Sequence, residues 1–145
     1  MEVKRVKNKK DLVEAFYIRK EVFVNEQGIS LADEFDEFDT NNGFCDHILV
    51  YSNDQAVGTG RLRVINDFGK LERICILQPY RQYGLGKIII KTLEKIAYER
   101  GLSQVKLHGQ KQAEGFYIKL GYQTSSEVFL EDGIPHTLMM KKLDG

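Results

Sequence analysis

Apolar positions along this 145-residue chain change period several times, and each change predicts an element. Leu12, Ala15, Phe16, Arg19, Val22 and Phe23 recur at three- and four-residue spacing. That is one face of an amphipathic helix over Lys9 to Val24, with Asn8 as its cap. A short strand, Glu2 to Val6, precedes it. Residues 25–44 lose the periodicity and are rich in acids and aromatics, with a helical turn expected near Ala32 to Phe35. A connection of this length in a compact domain is either functional or poorly ordered. Three strands follow: Cys45 to Tyr51, Ala56 to Ile65, and Lys70 to Leu77. Turn residues separate them, which suits an antiparallel meander. Gly58 and Gly60 inside the second strand mark a bulge or bend. Residues 78–87 form a loop. From Gly84 to Arg100, Leu85, Ile88, Ile89, Leu93, Ile96 and Ala97 define a long helix, stopped by Gly101. A strand over Ser103 to Gly109, a short helix over Gln112 to Leu120, and strands over Tyr122 to Leu130 and His136 to Lys142 complete the order, the last two around a turn from Glu131 to Pro135.

The resulting order is that of an α/β fold in which helices pack on a mixed sheet. No repeat or linker divides residues 1–145, so one domain is expected. Lysine plus arginine and aspartate plus glutamate both number 21, so no global field draws the chain to nucleic acid or an anionic membrane. No apolar run approaches the roughly 20 residues a membrane span needs. The charged N-terminus has no signal-peptide pattern, and a soluble cytoplasmic protein is expected. Cys45 and Cys75 lie on separate predicted strands without metal-ligand spacing. Both read as reduced core thiols, and no metal site is predicted.

The segment Arg81-Gln82-Tyr83-Gly84-Leu85-Gly86-Lys87 opens the long helix. A helix start exposes unpaired N–H groups and a partial positive charge. Gly84 and Gly86 let the backbone curl closely around an anion, which suits a phosphate or pyrophosphate. The segment is neither a Walker A loop nor the dinucleotide GxGxxG pattern. On its own, this pattern also describes a plain strand-to-helix turn.

The stretch from Leu71 to Gly86, an apolar strand followed by Gln78-Pro79-Tyr80-Arg81-Gln82-Tyr83-Gly84-Leu85-Gly86, resembles the cofactor motif of the GNAT N-acetyltransferase superfamily. Ala113-Glu114-Gly115-Phe116-Tyr117-Ile118-Lys119-Leu120-Gly121-Tyr122 resembles its second signature, in the same order along the chain. A small bacterial subfamily of acyltransferases is similar at Arg19 to Gln27, Asp46-His47, Gly60 to Arg63 and Phe129 to His136. The resemblance implies a central, mostly antiparallel sheet flanked by helices, with acetyl-CoA as cosubstrate. It implies that amides of Arg81 to Lys87 (Arg81, Gln82, Tyr83, Gly84, Leu85, Gly86, Lys87) hold the pyrophosphate. It further implies that the backbone of Ile74, Cys75 and Ile76 pairs with the pantetheine arm, and that the next strand splays away to admit the thioester. Tyr117 matches the tyrosine that protonates the leaving thiolate, and Gln110 stands where many members have a cofactor-contacting asparagine.

An attacking amine must lose a proton, so a base or a water relay is required. Glu72 is one candidate; its alternative role is a surface strand residue paired with Arg73. His108 is another, with a structural role as its alternative. Tyr117 has a packing role beside Phe116 as its alternative. His47 and His136 open strands, as structural groups or as lining of an acceptor pocket. Cys75 lacks a readable Cys-His arrangement, and direct transfer needs no acyl-enzyme. The acids Asp33, Glu34, Asp36, Glu37 and Asp39 either rim an acceptor site for a cationic amine or form a solvated loop. Arg61 and Arg63, on one face of a strand, either bind an acceptor carboxylate or pair with those acids.

The expected activity is transfer of an acetyl or short acyl group from acetyl-CoA to a primary amine, by direct attack in a ternary complex. An acyl-homoserine-lactone synthase and a non-catalytic acyl-CoA-binding module are the alternatives. Expected partners are acetyl-CoA and an amine acceptor, with no nucleic acid and no membrane, in a monomer or homodimer.

Overall fold

A computed structural model describes residues 2–36, 38, 39 and 45–143. The expected acid Glu37 lies outside them. Among the described residues no helix is long and apolar enough to cross a membrane.

Helix α1 (Lys9–Arg19) begins where the Asn8 side chain accepts from the Asp11 amide, and it continues without a break into π-helical turns over Lys20–Glu26. There the Gln27 amide donates to the Val22 carbonyl, five residues back, at 3.1 Å. The wider turn carries the side chains of Val22, Phe23 and Gln27 to one end of the molecule. Periodicity alone cannot announce it. Helix α2 (Leu31–Glu34) is the expected helical turn, capped by Ser30.

Strands β1 (Glu2–Arg5), β2 (Asp46–Ser52), β3 (Gln55–Ile65), β4 (Phe68–Ile76), β5 (Gln104–Gln110), β6 (Gln123–Thr124), β7 (Phe129–Glu131) and β8 (Ile134–Lys142) form one mostly antiparallel sheet. Its order is β1-β2-β3-β4-β5-β8-β6, with β7 paired to β8. Helix α3 (Leu85–Glu99) covers one face, and Ile48, Val50, Val57, Leu62 and Leu71 meet its Ile89, Ile90 and Leu93 there. Helix α1 covers the other, where Ala15, Ile18 and Val22 meet Leu49 and Cys75. Alternate residues of β2 therefore feed two cores, which is why the strand reads as a continuous apolar run. Helix α4 (Glu114–Lys119) is short and follows β5 through a 3-10 turn over Lys111–Ala113.

The expected bulges are real, but they sit differently. On β3 the extra residue lies beside Gly58, between the Val50–Gly58 and Tyr51–Ala56 pairs. A second bulge belongs to β4: two β3 steps from Thr59 to Arg61 face three steps from Cys75 to Glu72, and Arg73 takes a φ of 54°. Gly60, opposite, is small for another reason. A Cβ there would lie 2.7 Å from Cγ2 of Ile89, so glycine is what lets α3 approach the sheet.

The expected long strand Tyr122 to Leu130 is broken into β6 and β7. The Leu138 amide donates to the Ser126 hydroxyl at 2.8 Å rather than to a backbone carbonyl, so the side chain interrupts the ladder. The decisive feature of the sheet is its single parallel junction. β4 and β5 pair from Phe68–Gln104 to Leu71–Leu107, and then they part.

Candidate functional site

A cavity of about 510 Å³ fills the gap where β4 and β5 separate. Its walls come from both signature segments. Glu72, Ile74, Cys75 and Ile76 line it from β4; His108 and Gln110 from β5; and Phe116 and Tyr117 from α4. Arg81, Gln82, Gly84, Leu85, Gly86 and Lys87 close one end. Tyr83 is not part of the lining; its side chain is 67% exposed.

That end has the backbone geometry that suits an anion. Gly84 caps α3 with φ 75°, a left-handed conformation that glycine adopts without strain, and no side chain caps the helix. The amides of Gln82 through Lys87 form no hydrogen bond among the described residues, while the next amide, Ile88, returns to the Gly84 carbonyl. Orphan amides at the N-terminus of a four-turn helix are donors aimed at an anion. Arg81 is more engaged than expected. It donates to both carboxylate oxygens of Glu26 at 2.7 Å, and its Nε donates to the Ile76 carbonyl at 3.0 Å. It therefore ties the end of α1 to the end of β4. The Leu85 side chain belongs to the core, so only its backbone faces the cradle.

Tyr117 makes the packing contact with Phe116 that its alternative role required, and it also lines the cavity wall. Its ring packs edge-on against Phe116 (5.2 Å) and Tyr122 (6.0 Å), and also fills the space a Cβ at Gly109 would take. Its hydroxyl has no hydrogen-bond partner among the described residues, and burial pushes its pKa up to about 12, so it carries its proton at neutral pH. Gln110 donates to Gln27 at 3.4 Å and accepts from Gln112 at 2.9 Å.

Glu72 departs from both expectations. It is buried, not a surface residue, and its partners are Arg61 (3.0 Å), Arg63 (2.9 Å) and Lys70 (3.1 Å) rather than Arg73. Adjacent strand residues face opposite ways, so Arg73 turns instead to Glu34 and Asp36. Burial pushes the Glu72 carboxyl up, but Arg63, Arg61 and Lys70 outweigh it and bring the pKa to about 2. A group this acidic is a poor acceptor for an ammonium proton.

The same network absorbs most of the acidic segment. Arg19 binds Glu34 (2.9 Å) and Asp39 (2.7 Å), and Arg61 binds Asp36 and Asp39, both at 2.8 Å. Arg63 also lies over the Phe38 ring, 4.3 Å from its centroid. Arg61 pairs with acids of the segment, as one of its two readings had it, whereas Arg63 follows neither reading and pairs with Glu72 instead. The acids are thus not a free negative rim. Among the described acids of the segment, Glu34 alone lines the cavity, and Asp33 is exposed.

His108 lines the cavity with its Nδ1 2.8 Å from Oε1 of Glu131. Donation from His108 holds the Glu131 carboxyl below the usual carboxylate range, against the burial that pushes it up. His136 lines the cavity too, while His47 is buried elsewhere with both ring nitrogens unpartnered. Burial, then the nearby Arg19, lowers the His47 pKa to about 4. Cys75 is buried, and burial pushes its thiol up, away from the nucleophilic thiolate. Cys45 is only half-buried, so it is not the core thiol expected; both cysteines are free.

Sequence reasoning missed the cavity walls from the π-helical turns and from the β7–β8 hairpin: Val22, Phe23, Gln27, Ile29, Glu131 and Asp132. The available signal for the hairpin was Asp132-Gly133, a two-residue turn motif between two strand-like segments.

The model of the acetyltransferase (GNAT) domain family matches residues 13–143. The uncharacterized protein YyaT of Bacillus subtilis (strain 168) is 61% identical over 143 residues, covering 99% of this chain and 97% of that one. The uncharacterized N-acetyltransferase YjcF of the same strain is 48% identical, covering 93% of this chain and 95% of its own. An acyl-CoA N-acyltransferase from Pseudomonas aeruginosa superposes with a TM-score of 0.86 at 26% identity, over 97% of this chain and 99% of that one.

Proposed function

The chain belongs to the GNAT family and is an acyl-CoA-dependent N-acetyltransferase, and from that premise we propose that it acetylates the primary amine of a small molecule by direct attack in a ternary complex. The single observation that carries this reading is the parting of β4 and β5 beyond Leu71 and Leu107, which opens a cavity shared by the α3 amides, Tyr117 and His108. The residues present fit the acyl-CoA substrate. The unpaired amides of Gln82 to Lys87 hold its pyrophosphate, and the β4 edge from Ile74 to Ile76 runs alongside its pantetheine arm.

The chemistry divides between two side chains. His108 takes the proton from the acceptor ammonium. The amine nitrogen then forms the C–N bond to the thioester carbonyl carbon while the C–S bond breaks. Tyr117, protonated at neutral pH, gives its proton to the departing thiolate, and its phenolate oxygen takes the second proton that the newly acylated nitrogen releases, so that amide and free thiol form and one proton remains on His108 for release to solvent. Glu72 holds the strand and the acidic segment in place instead of serving as base. The protein is read as one domain over residues 1–145, acting in the cytoplasm as a monomer or homodimer.

The test is a thermal-shift measurement with acetyl-CoA, followed by thiol release across a panel of primary amines. Stabilisation by acetyl-CoA together with amine-dependent free thiol is the expected result. Absence of stabilisation by any CoA ester sinks the reading. Binding without turnover of any amine favours a non-catalytic acyl-CoA module, and lactone signals in culture extracts would favour an acyl-homoserine-lactone synthase.

A further inference from the structure

We infer that Glu131, on the hairpin between β7 and β8, is a positioning residue that holds His108 in the tautomer whose Nδ1 carries the proton and whose Nε2 is the free base. The inference rests on the acyl-transfer reading of the cavity, and it adds a residue that neither signature segment contains.

The argument begins with the turn. Asp132 and Gly133 have φ of 53° and 76°, and Glu131 pairs with Ile134 across them. This is the two-residue hairpin that left-handed φ values at both central positions produce, and it leaves the preceding residue little freedom. β8 in turn pairs with β5, where His108 faces Leu138 and Gln110 faces His136. The hairpin is therefore pinned beside the end of β5, and Glu131 meets His108 through register rather than through a flexible loop.

The hydrogen bond then fixes the proton. Glu131 is ionised at neutral pH, and an ionised carboxylate only accepts, so His108 Nδ1 donates across the 2.8 Å contact. A neutral imidazole with its proton on Nδ1 has its lone pair on Nε2. The ring is also held by packing: Phe129 meets His108 edge-on at 5.1 Å. His136 does not compete for the same oxygen. Its Nδ1 donates to the Ile134 carbonyl at 2.7 Å, and its Nε2 lies 3.7 Å from the other Glu131 oxygen, with its ring stacked on Phe129. Glu131 thus stands between two imidazoles and orients one. When His108 accepts a proton at Nε2, the positive charge forms on a ring already bonded to a carboxylate, as in any base backed by an acid partner.

The experiment uses the full chain with 15N-labelled histidine. With only three histidines in the sequence, a His108→Gln spectrum assigns the His108 nitrogens directly. Two-bond proton–nitrogen correlations then report which nitrogen carries the proton. The wild type is expected to show it on Nδ1, and Glu131→Ala to move it to Nε2. With the panel amine that gives the most thiol release, kcat of Glu131→Ala is expected to fall by about 10²-fold while the KM for acetyl-CoA stays within about twofold. Glu131→Gln, which keeps an acceptor oxygen at the same reach, should fall between the two and guards against a misfolded alanine variant. A proton on Nε2 in the wild type overturns the inference, as does a wild-type kcat in Glu131→Ala. If His108→Gln turns over the amine at the wild-type rate, the base assignment itself fails. The tautomer spectrum separates that outcome from a failure of Glu131 alone.

Discussion

The two ends of the β4–α3 unit handle polar groups in opposite ways. On β3 and the first half of β4, Arg61, Arg63 and Lys70 converge on Glu72, and Arg61 and Arg19 reach across to Asp36, Asp39 and Glu34. Charge here is buried and matched. A few residues on, at the start of α3, consecutive amides have no partner among the described residues, and across the cavity Tyr117 of α4 has a hydroxyl with none among them either. The first region is buried, whereas at the second Gln82, Tyr83, Gly84 and Lys87 are exposed to solvent. The matched region fixes the shape of the acidic segment. The unmatched region is where a ligand's own charges would supply what is missing.

The largest effect should come from breaking the matched end. Arg61→Ala leaves Asp36, Asp39 and Glu72 without their shared cation, which is expected to cost about 3–5 kcal/mol of unfolding free energy, measured by urea titration. A loss below about 1 kcal/mol would mean that the network is not what holds this region.

Next is the unmatched end. Tyr117→Phe keeps the ring contacts and removes only the proton donor. kcat should fall by about 10²-fold or more, with the acetyl-CoA dissociation constant unchanged. An unchanged kcat would return Tyr117 to a packing role.

The third effect is a pH dependence. The folded-state pKa of His47, about 4, lies below its ordinary 6.5, so the unfolded chain binds the extra proton between those values. The stabilisation is complete above 6.5 and is lost as pH falls toward about 4, on the order of 3 kcal/mol. Glu72 acts in a lower window. Its stabilisation is complete above 4.5 and is lost as pH falls toward about 2. A thermal-melt series should show both limbs, and His47→Phe should flatten only the upper one.

The smallest effect sharpens the border between the two ends, where Arg81 is held by Glu26. Glu26→Gln removes a carboxylate beside the cradle and should tighten CoA binding by about two- to fivefold in a calorimetric titration, most clearly at low salt. Weaker binding would show that the Glu26 contact organises the cradle instead of competing with its ligand.

How much of this was legible depends on whether the cause is local. The α3 start could be read directly, because glycines before an apolar helical pattern leave orphan amides wherever they occur. Asn8 as a cap was legible for the same reason. Glu72 was not. Its environment depends on Arg61 and Arg63 from β3 and on Lys70 from its own strand, and none of these pairings can be read from its neighbours in sequence. The tyrosine of the Phe116-Tyr117 segment could be found, but not that its hydroxyl is unpartnered. The π-helical turns of α1 and the break between β6 and β7 were hidden as well, since each turns on one hydrogen bond chosen in the folded state.

The sequence alone therefore determined most of the order of elements and the glycine-marked start of α3, because periodicity, capping and glycine conformation act within a few residues. Tertiary structure alone decided which carboxylate is buried among cations and which one meets a histidine. Glu72 and Glu131 are the same residue type, each near the cavity. One is buried among three cations, and the other is carried by a tight hairpin to the ring nitrogen of His108. The difference lies wholly in what long-range pairing brings within about 3 Å, where charge and hydrogen bonding become strong enough to set the chemistry.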